Sequence, residues 1–339
     1  MPRHAATRWR RIRGAFQPHG VHWEPTASGG TNSCWKGTGS SSQWFLKWYK
    51  TPYPGLHPEV EIAQYLQSKN YPHTPRFGGA LERCFDGKPS ETVAVVLSWE
   101  FGQSAWDRLL EDFRASKLPL HDAALWGRQL ARLHRVLSSG SPGSGFEPLV
   151  DTDYPRTCGE RIRFIENQLS IAFASPPPDG ADPSVWESAR AAWPQHQEKS
   201  EHILHALTGS LHPITLSRIH GDLHLGQILD RGEAGWMFTD FEGEPLRQVE
   251  ARRRPDCPLR DVAGMWRSFA YASTAARASD STRDSLQQCF LESWLSEAPN
   301  LPTNWRPLLN ALIREKNLYE VWYELNHRPS WLHIPLRGL

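Results

Sequence analysis

The stretch His220-Gly221-Asp222-Leu223-His224-Leu225-Gly226-Gln227, followed by Asp240-Phe241-Glu242-Gly243-Glu244-Pro245, decides how the rest of this 339-residue chain is read. An aspartate, a side-chain amide five residues later and a second aspartate beyond the short apolar run Trp236 to Phe238 bring three oxygen-bearing side chains to workable spacing for one site. Oxygen donors suit a hard cation such as Mg²⁺, and a carboxylate can orient an attacking hydroxyl and accept its proton. These are the parts that transfer of a phosphoryl group requires. Asp222 is the candidate base, and Gln227 and Asp240 are the candidate metal ligands.

Upstream, residues 20–50 break into short strand-like segments, VHWEPT, CWKGTGS and QWFLKWYK, the first two separated by the turn-forming SGGTNS. Alternation in QWFLKWYK places Trp44, Leu46 and Trp48 on one face and Phe45, Lys47 and Tyr49 on the other. EVEIAQYLQSK follows with helical spacing, and TVAVVLSWEF at 92–101 reads as a buried strand leading out of this region. From Ala105 the pattern turns helical, with Leu125, Trp126, Leu130, Leu133, His134 and Leu137 along one stripe. SSGSPGSG at 138–145 reads as a flexible connection and SPPPDGADP at 175–183 as a helix stop. The predicted organisation is a small β-rich lobe, a short connector and a larger helical lobe carrying an inserted β-loop region.

The phrases IHGDLHLGQIL, DFEGEP, ARRRPDCPLRDVAGMWRSFAYA and LYEVWYELNHRPSWLHIPL resemble the maltokinase family. That family, with the glucosamine kinases, forms a branch of the aminoglycoside phosphotransferases in the protein-kinase-like superfamily. The resemblance is specific over about residues 217–335 and looser over 28–137, and glutamine at position 227, where other members have asparagine, is itself a feature of the branch. It implies an α+β, bilobal protein-kinase-like fold, with residues 1–98 as a nucleotide-binding N-lobe, 99–102 as a hinge and 103–339 as a helical C-lobe. It further implies ATP and Mg²⁺ as cofactors, a small-molecule sugar and a nucleotide as partners, and maltose as acceptor, giving maltose 1-phosphate. Glucosamine is the alternative acceptor. A nucleotide-binding scaffold without turnover is the reading from another class, and the intact Asp222, Gln227 and Asp240 set argues against it.

Further roles are carried over on matching positions. Lys47 resembles the lysine that pairs with nucleotide phosphates, with Glu61 as its helix partner and Glu59 as a rival. Ser28, Gly29 and Gly30 fit a phosphate-covering loop, since glycines let backbone N–H groups approach oxygens. Ser98, Trp99, Glu100 and Phe101 are expected at the hinge, their backbone groups meeting adenine. His220 and His224 flank the base and are grouped with the sugar side, His220 also matching a position that braces the catalytic loop. Asp261 is expected in support, capping its helix or bracing that loop. Glu320, Tyr323, Glu324, His327 and Arg328 recur at spacings of three and four, so they share a helix face suited to sugar hydroxyls, and Trp331 offers a ring for stacking. Arg252, Arg253 and Arg254 read as a solvated charge run.

Composition closes off other classes. The 38 Lys+Arg against 37 Asp+Glu leave a net charge of +1, no basic excess with which to wrap nucleic acid. The longest strongly apolar stretch, Val93 to Leu97, is far short of a membrane span, so no membrane partner is expected. Five scattered cysteines without a C-x-x-C, and an arginine-rich start without an apolar h-region, point to a reducing cytoplasm and no secretory signal. From Glu315 to Leu339 three glutamates balance Lys316, Arg328 and Arg337, which suits a neutral sugar better than a polycationic aminoglycoside. The branch carries an N-terminal cap subdomain; about 20 residues precede the first expected strand here, so the cap is expected to be absent or a stub.

Overall fold

The computed structural model describes residues 8–17, 19–26, 32–208, 213–245, 247–298, 301 and 305–339. The chain divides into two compact units, one of Met1–Ala105, His220–Asp222 and Gly226–Arg254, the other of Trp106–Ile219, Leu223–Leu225 and Pro255–Leu339. Most of the stretch from His220 to Pro245 therefore groups with the β-rich unit, although by position it falls within the span expected for the helical lobe.

In the first unit, β1 (Arg8–Arg13), β2 (His22–Pro25), β3 (Ser33–Thr38), β4 (Gln43–Pro54), β5 (Phe77–Phe85) and β6 (Lys88–Ser98) make one sheet in the order β1-β5-β6-β4-β3-β2, with α1 (Pro58–Ser68) between β4 and β5. Every pairing is antiparallel. The alternation in β4 sorts its faces. Trp44 packs with Phe16 and Val96 on one side, while Tyr49 joins Val60 and Ala63 of α1, Phe77 and Val95 on the other. Burying such side chains contributes about 1.5–3 kcal/mol each. Gly78 makes the first cluster possible, because a Cβ there would meet the Trp44 ring at 2.7 Å. The basic start of the chain, expected only as a lead-in, forms β1, whose Arg10 pairs with Glu82 of β5.

The chain continues through β7 (Gln103–Ser104), α2 (Ala105–Arg114), α3 (Leu120–Leu137), β8 (Leu149–Asp151), α4 (Tyr154–Phe173), α5 (Pro183–Thr208) and β9 (Ile214–Leu216). It then forms β10 (Ile228–Asp230), β11 (Trp236–Phe238), α6 (Val249–Arg252), α7 (Leu259–Ala275), α8 (Asp280–Leu295), α9 (Trp305–His327) and α10 (His333–Leu336). β11, β10 and β7 make a small antiparallel sheet that belongs to the first unit.

In the helical unit the α3 stripe is buried except for the half-buried Leu125, and Gly127 lets α8 approach: a Cβ there would overlap the Phe290 carbonyl. Trp294 Nε1 donates to His134 Nδ1 at 3.2 Å, and His134 Nε2 lies 2.9 Å from Asp261 Oδ2. Asp261 thus ties α7 to α3 from the first turn of its helix, whose cap position is Pro258. Arg260 pairs with Asp256 and Glu315, each at 2.9 Å, in the interior.

Candidate active site

The nucleotide side of the site is assembled by the start of α1. His57 is its N-cap, Pro58 takes the first helical position, and His57 Nδ1 accepts the Glu59 N–H at 3.2 Å. The His57 ring stacks on Tyr49 with centroids 3.8 Å apart, and burial holds its pKa well below the ordinary value. Fixed in this way, Glu59 faces β4. Lys47 Nζ donates to its two carboxylate oxygens at 3.0 and 3.2 Å, and Tyr49 Oη donates to it at 2.9 Å.

The lysine's partner is therefore Glu59, which corrects the choice of Glu61. Two residues on, Glu61 lies about 200° around the helix and meets Arg253 at 3.3 Å instead. Arg253 and Arg252 are accordingly not a solvated run: Arg252 donates to the carbonyls of Pro245 and Arg247, pinning the loop after Asp240.

Asp240 follows β11 with φ at +67°, in the left-handed region that aspartate tolerates better than most residues. Its carboxylate pairs with Lys47, and its Oδ2 accepts from Gln227 Nε2 at 3.0 Å. Glu242, two residues later, lies 2.5 Å from Lys47 Nζ and accepts from Asn32 Nδ2 at 2.8 Å. Burial alone would lower the Lys47 pKa, but Asp240, Glu59 and Glu242 outweigh it and hold the ammonium well above its usual range. Burial pushes the Glu59 carboxyl up to about 7, with Lys47 opposing and Glu242 and Asp240 adding to the rise. Carboxylate oxygens of Glu59, Asp240 and Glu242 all lie within 4.8 Å of one another. An all-oxygen set of this charge fits a hard divalent cation, with Asp240 and Gln227 as the residues that would hold it.

These groups line a cavity of about 380 Å³ that also takes in Phe45, Leu97 and residues 98–100, a size within the range of small-molecule sites. Ser98 Oγ accepts the Arg76 N–H at 2.8 Å and donates to Glu100 at 2.6 Å, which fixes the end of β6. The Trp99 N–H donates to the Gln43 carbonyl at 3.0 Å, so this hinge donor is used by the protein itself. Phe101 is 64% exposed, and Lys36 Nζ stands 5.2 Å from its ring and 5.1 Å from that of Trp99. Ser28, Gly29 and Gly30 lie outside the described residues; the last part of their loop is represented by Asn32.

Asp222 sits half-buried in the turn after Gly221, whose φ of +85° requires glycine-like freedom. His220 is 1% exposed, its Nε2 lies 2.8 Å from the Thr239 carbonyl and its Nδ1 takes the Asp222 N–H at 3.4 Å. Both ring nitrogens meet backbone groups, the geometry that the expected bracing role calls for. His224 is half-buried on the same stretch.

In the helical unit, Glu320 accepts from Arg267 Nε at 2.8 Å, and Glu324 accepts from Arg328 at 2.7 and 2.9 Å and from Tyr271 Oη at 3.2 Å. The Arg328 guanidinium stands 5.5 Å from the Tyr323 ring and 5.1 Å from Trp331, which is 37% exposed. Glu324, Tyr323, Arg328 and Trp331, of the residues expected on the sugar side, thus lie against one another, and both Glu320 and Glu324 are already paired. Sequence reasoning missed His57, Glu242, Arg267 and Tyr271. For Glu242 the signal was its place in DFEGEP; for Arg267 and Tyr271, distant in sequence from Glu320 and Glu324, there was none.

A β-sheet unit that buries a lysine among carboxylates beside an H-G-D turn, with a helical unit following, has the make-up of a protein-kinase-like phosphotransferase. Residues 22–243 match the profile of the phosphotransferase enzyme family, and the chain belongs to that family. It is 25% identical over 297 residues to a glucosamine kinase of Streptacidiphilus jiangxiensis, covering 83% of this chain and 64% of that protein. It is 32% identical over 138 residues to a glucosamine kinase of Mycolicibacterium smegmatis, covering 38% and 34% respectively. The matched stretches thus span less than two thirds of these curated relatives. Among solved structures, a glucosamine kinase in complex with glucosamine, ADP and inorganic phosphate superposes with a TM-score of 0.70 at 21% identity, over 95% of this chain and 79% of that one. A spectinomycin phosphotransferase with ADP and spectinomycin gives 0.55 at 12% identity, over 95% and 90%. Fold class is thereby settled as α+β and kinase-like, and no described helix is long and apolar enough to cross a membrane.

Proposed function

We propose that the protein transfers the terminal phosphoryl group of ATP to a hydroxyl of a small sugar, with glucosamine as the acceptor. The observation that carries the phosphotransfer part is the buried Lys47 held between Glu59, Asp240 and Glu242 at one wall of a ligand-sized cavity. Lys47 would bind nucleotide phosphates, and Asp240 and Gln227 would hold Mg²⁺, whose charge offsets that of the phosphates. Asp222 would orient the acceptor hydroxyl and take its proton.

The acceptor reading is drawn from the relatives, which are glucosamine kinases, and it displaces the expectation of maltose 1-phosphorylation. The charge balance that favoured a neutral sugar also weakens on inspection. Glu315 is buried against Arg260, whereas Glu320 pairs with Arg267, so the count mixed different surroundings and left out the arginines of α7. Glu320 and Glu324 remain as carboxylates that could exchange an arginine for a sugar ammonium group.

The test is a phosphate-transfer panel of glucosamine, maltose, glucose and kanamycin, with the product position read by NMR. Glucosamine should show the highest kcat/KM. Maltose turned over with glucosamine inert would sink the acceptor assignment and leave the transfer chemistry standing. Asp222→Asn should keep nucleotide affinity while kcat falls about 10²–10⁴-fold; near-normal turnover in the folded variant would remove Asp222 as the base.

A further inference from the structure

The helical unit holds a second, larger cavity of about 1210 Å³ along α7, its lining running from Trp266 and Arg267 to Arg277. Ser273 and Arg277 lie at its far end, away from the Arg267–Glu320 pair. Gly264 on α7 packs directly against the Leu223 carbonyl, whereas Ser273, in the cavity wall, lies nine residues further on, about 14 Å along the helix axis.

The lining is basic. Arg267, Arg277, Arg283, Arg337 and His333 face it, against Asp280 and Asp284. Arg283 is neutralised by those two aspartates, each at 2.8 Å, and Arg267 by Glu320. Arg277 and Arg337 have no acidic partner among the described residues, so the uncompensated charge of the cavity is theirs.

Two further observations mark a built site. Ser273 is 4% exposed, yet its Oγ, in the cavity wall, has no hydrogen-bond partner among the described residues. A buried hydroxyl left unpaired is costly unless something supplies the missing partner. Arg277, moreover, occupies the turn that ends α7 with φ at +55°, where its N–H reaches the Thr274 carbonyl at 3.1 Å and the Ala278 N–H reaches that of Ser273 at 2.8 Å. Helices ordinarily place glycine at this left-handed position, because a Cβ is strained there. An arginine held in that conformation sacrifices local stability and keeps a guanidinium at the cavity.

We propose that this cavity binds a phosphate group, free or carried on a small metabolite, at a site separate from that of the reacting nucleotide. Guanidinium groups match phosphate oxygens in charge and geometry. The volume exceeds what a lone phosphate fills, which favours a phosphorylated metabolite.

Calorimetric titration of the full chain tests this, with AMP-PNP present at saturation to occupy the nucleotide site. Orthophosphate, glucose 6-phosphate and glucose are titrated separately. Saturable binding of either phosphate compound, and none of glucose, is expected; the tighter of the two identifies free anion or metabolite as the source. The double variant Arg277→Gly/Arg337→Ala should weaken that binding by about tenfold or more, and Arg277→Gly alone should melt no lower than the wild type. No binding with the nucleotide site filled, or equal affinity in the double variant, overturns the proposal. Failure of AMP-PNP to bind would count against the nucleotide reading, and the comparison of variant with wild type would still decide this one.

Discussion

At the scale of single residues, the site turns on which glutamate of α1 meets Lys47. The motif spacing left Glu59 and Glu61 as rivals, because both lie in the first turn of the same helix. What separates them is the N-cap His57, which sets the start of α1 and therefore its rotation against β4. That information was in the sequence but not readable there, since histidine is an uncommon cap and its role depends on the stack with Tyr49. Glu59→Gln is expected to weaken nucleotide binding by about tenfold, while Glu61→Gln leaves it within about twofold; calorimetry on both variants checks the assignment. The Glu59 carboxyl also carries a pH signature. Its folded value of about 7 lies above the roughly 4.3 of a free glutamate. The folded protein therefore binds more protons between these values and loses stability as pH rises through that window. Urea unfolding at a series of pH values should show a shallower slope in Glu59→Gln; an unchanged slope would rule out Glu59 as its source.

At the scale of elements, period-two alternation made β4 legible, and the apolar stripe did the same for α3. These patterns arise because one face is buried and the other is not. β1 was not legible, since RWRRIR carries almost no apolar alternation and is held by pairing with β5 and by the Arg10–Glu82 contact. The face-sharing argument for α9 placed Glu320 and Glu324 together but could not reveal that α7 supplies Arg267 and Tyr271 opposite them. α7 also supports the backbone at Leu223, next to the proposed base, by a close approach at Gly264, where any Cβ would overlap the Leu223 carbonyl. Gly264→Ala should therefore cost about 1–3 kcal/mol, measured by chemical denaturation. By shifting the segment that carries Asp222, it should lower kcat more than nucleotide affinity. Wild-type stability and turnover together would show that the loop is not held in this way.

At the scale of the whole molecule, the fold class followed from motifs in the last third of the chain, whereas the composition of the two units did not. The segment Gly226–Arg254 joins the unit of the N-terminal sheet, because the Lys47 carboxylate cluster and the β7–β10 pairing tie it there. Charge totals over a stretch of chain misled for a related reason: neighbours in sequence such as Glu315 and Glu320 are buried against different arginines. A sheet of this kind has two outer strands, β1 and β2. The unpaired backbone groups of an outer strand are a template on which another chain can add itself. Along β1, Arg8, Arg10 and Arg11 are exposed; Arg8 and Arg10 pair with Asp86 and Glu82 of the same unit, while Arg11 donates to the Phe16 carbonyl, so a copy approaching this edge meets charged side chains rather than a bare backbone. Charge on an edge strand is expected to discourage separate molecules from continuing one another's sheets. Replacing Arg8 and Arg11 with threonine, a good strand former without charge, while keeping Arg10 opposite the buried Glu82, should leave the β-sheet intact by circular dichroism and produce association that grows with protein concentration in light scattering. Variants that stay monodisperse at high concentration would show that the edge is guarded in some other way.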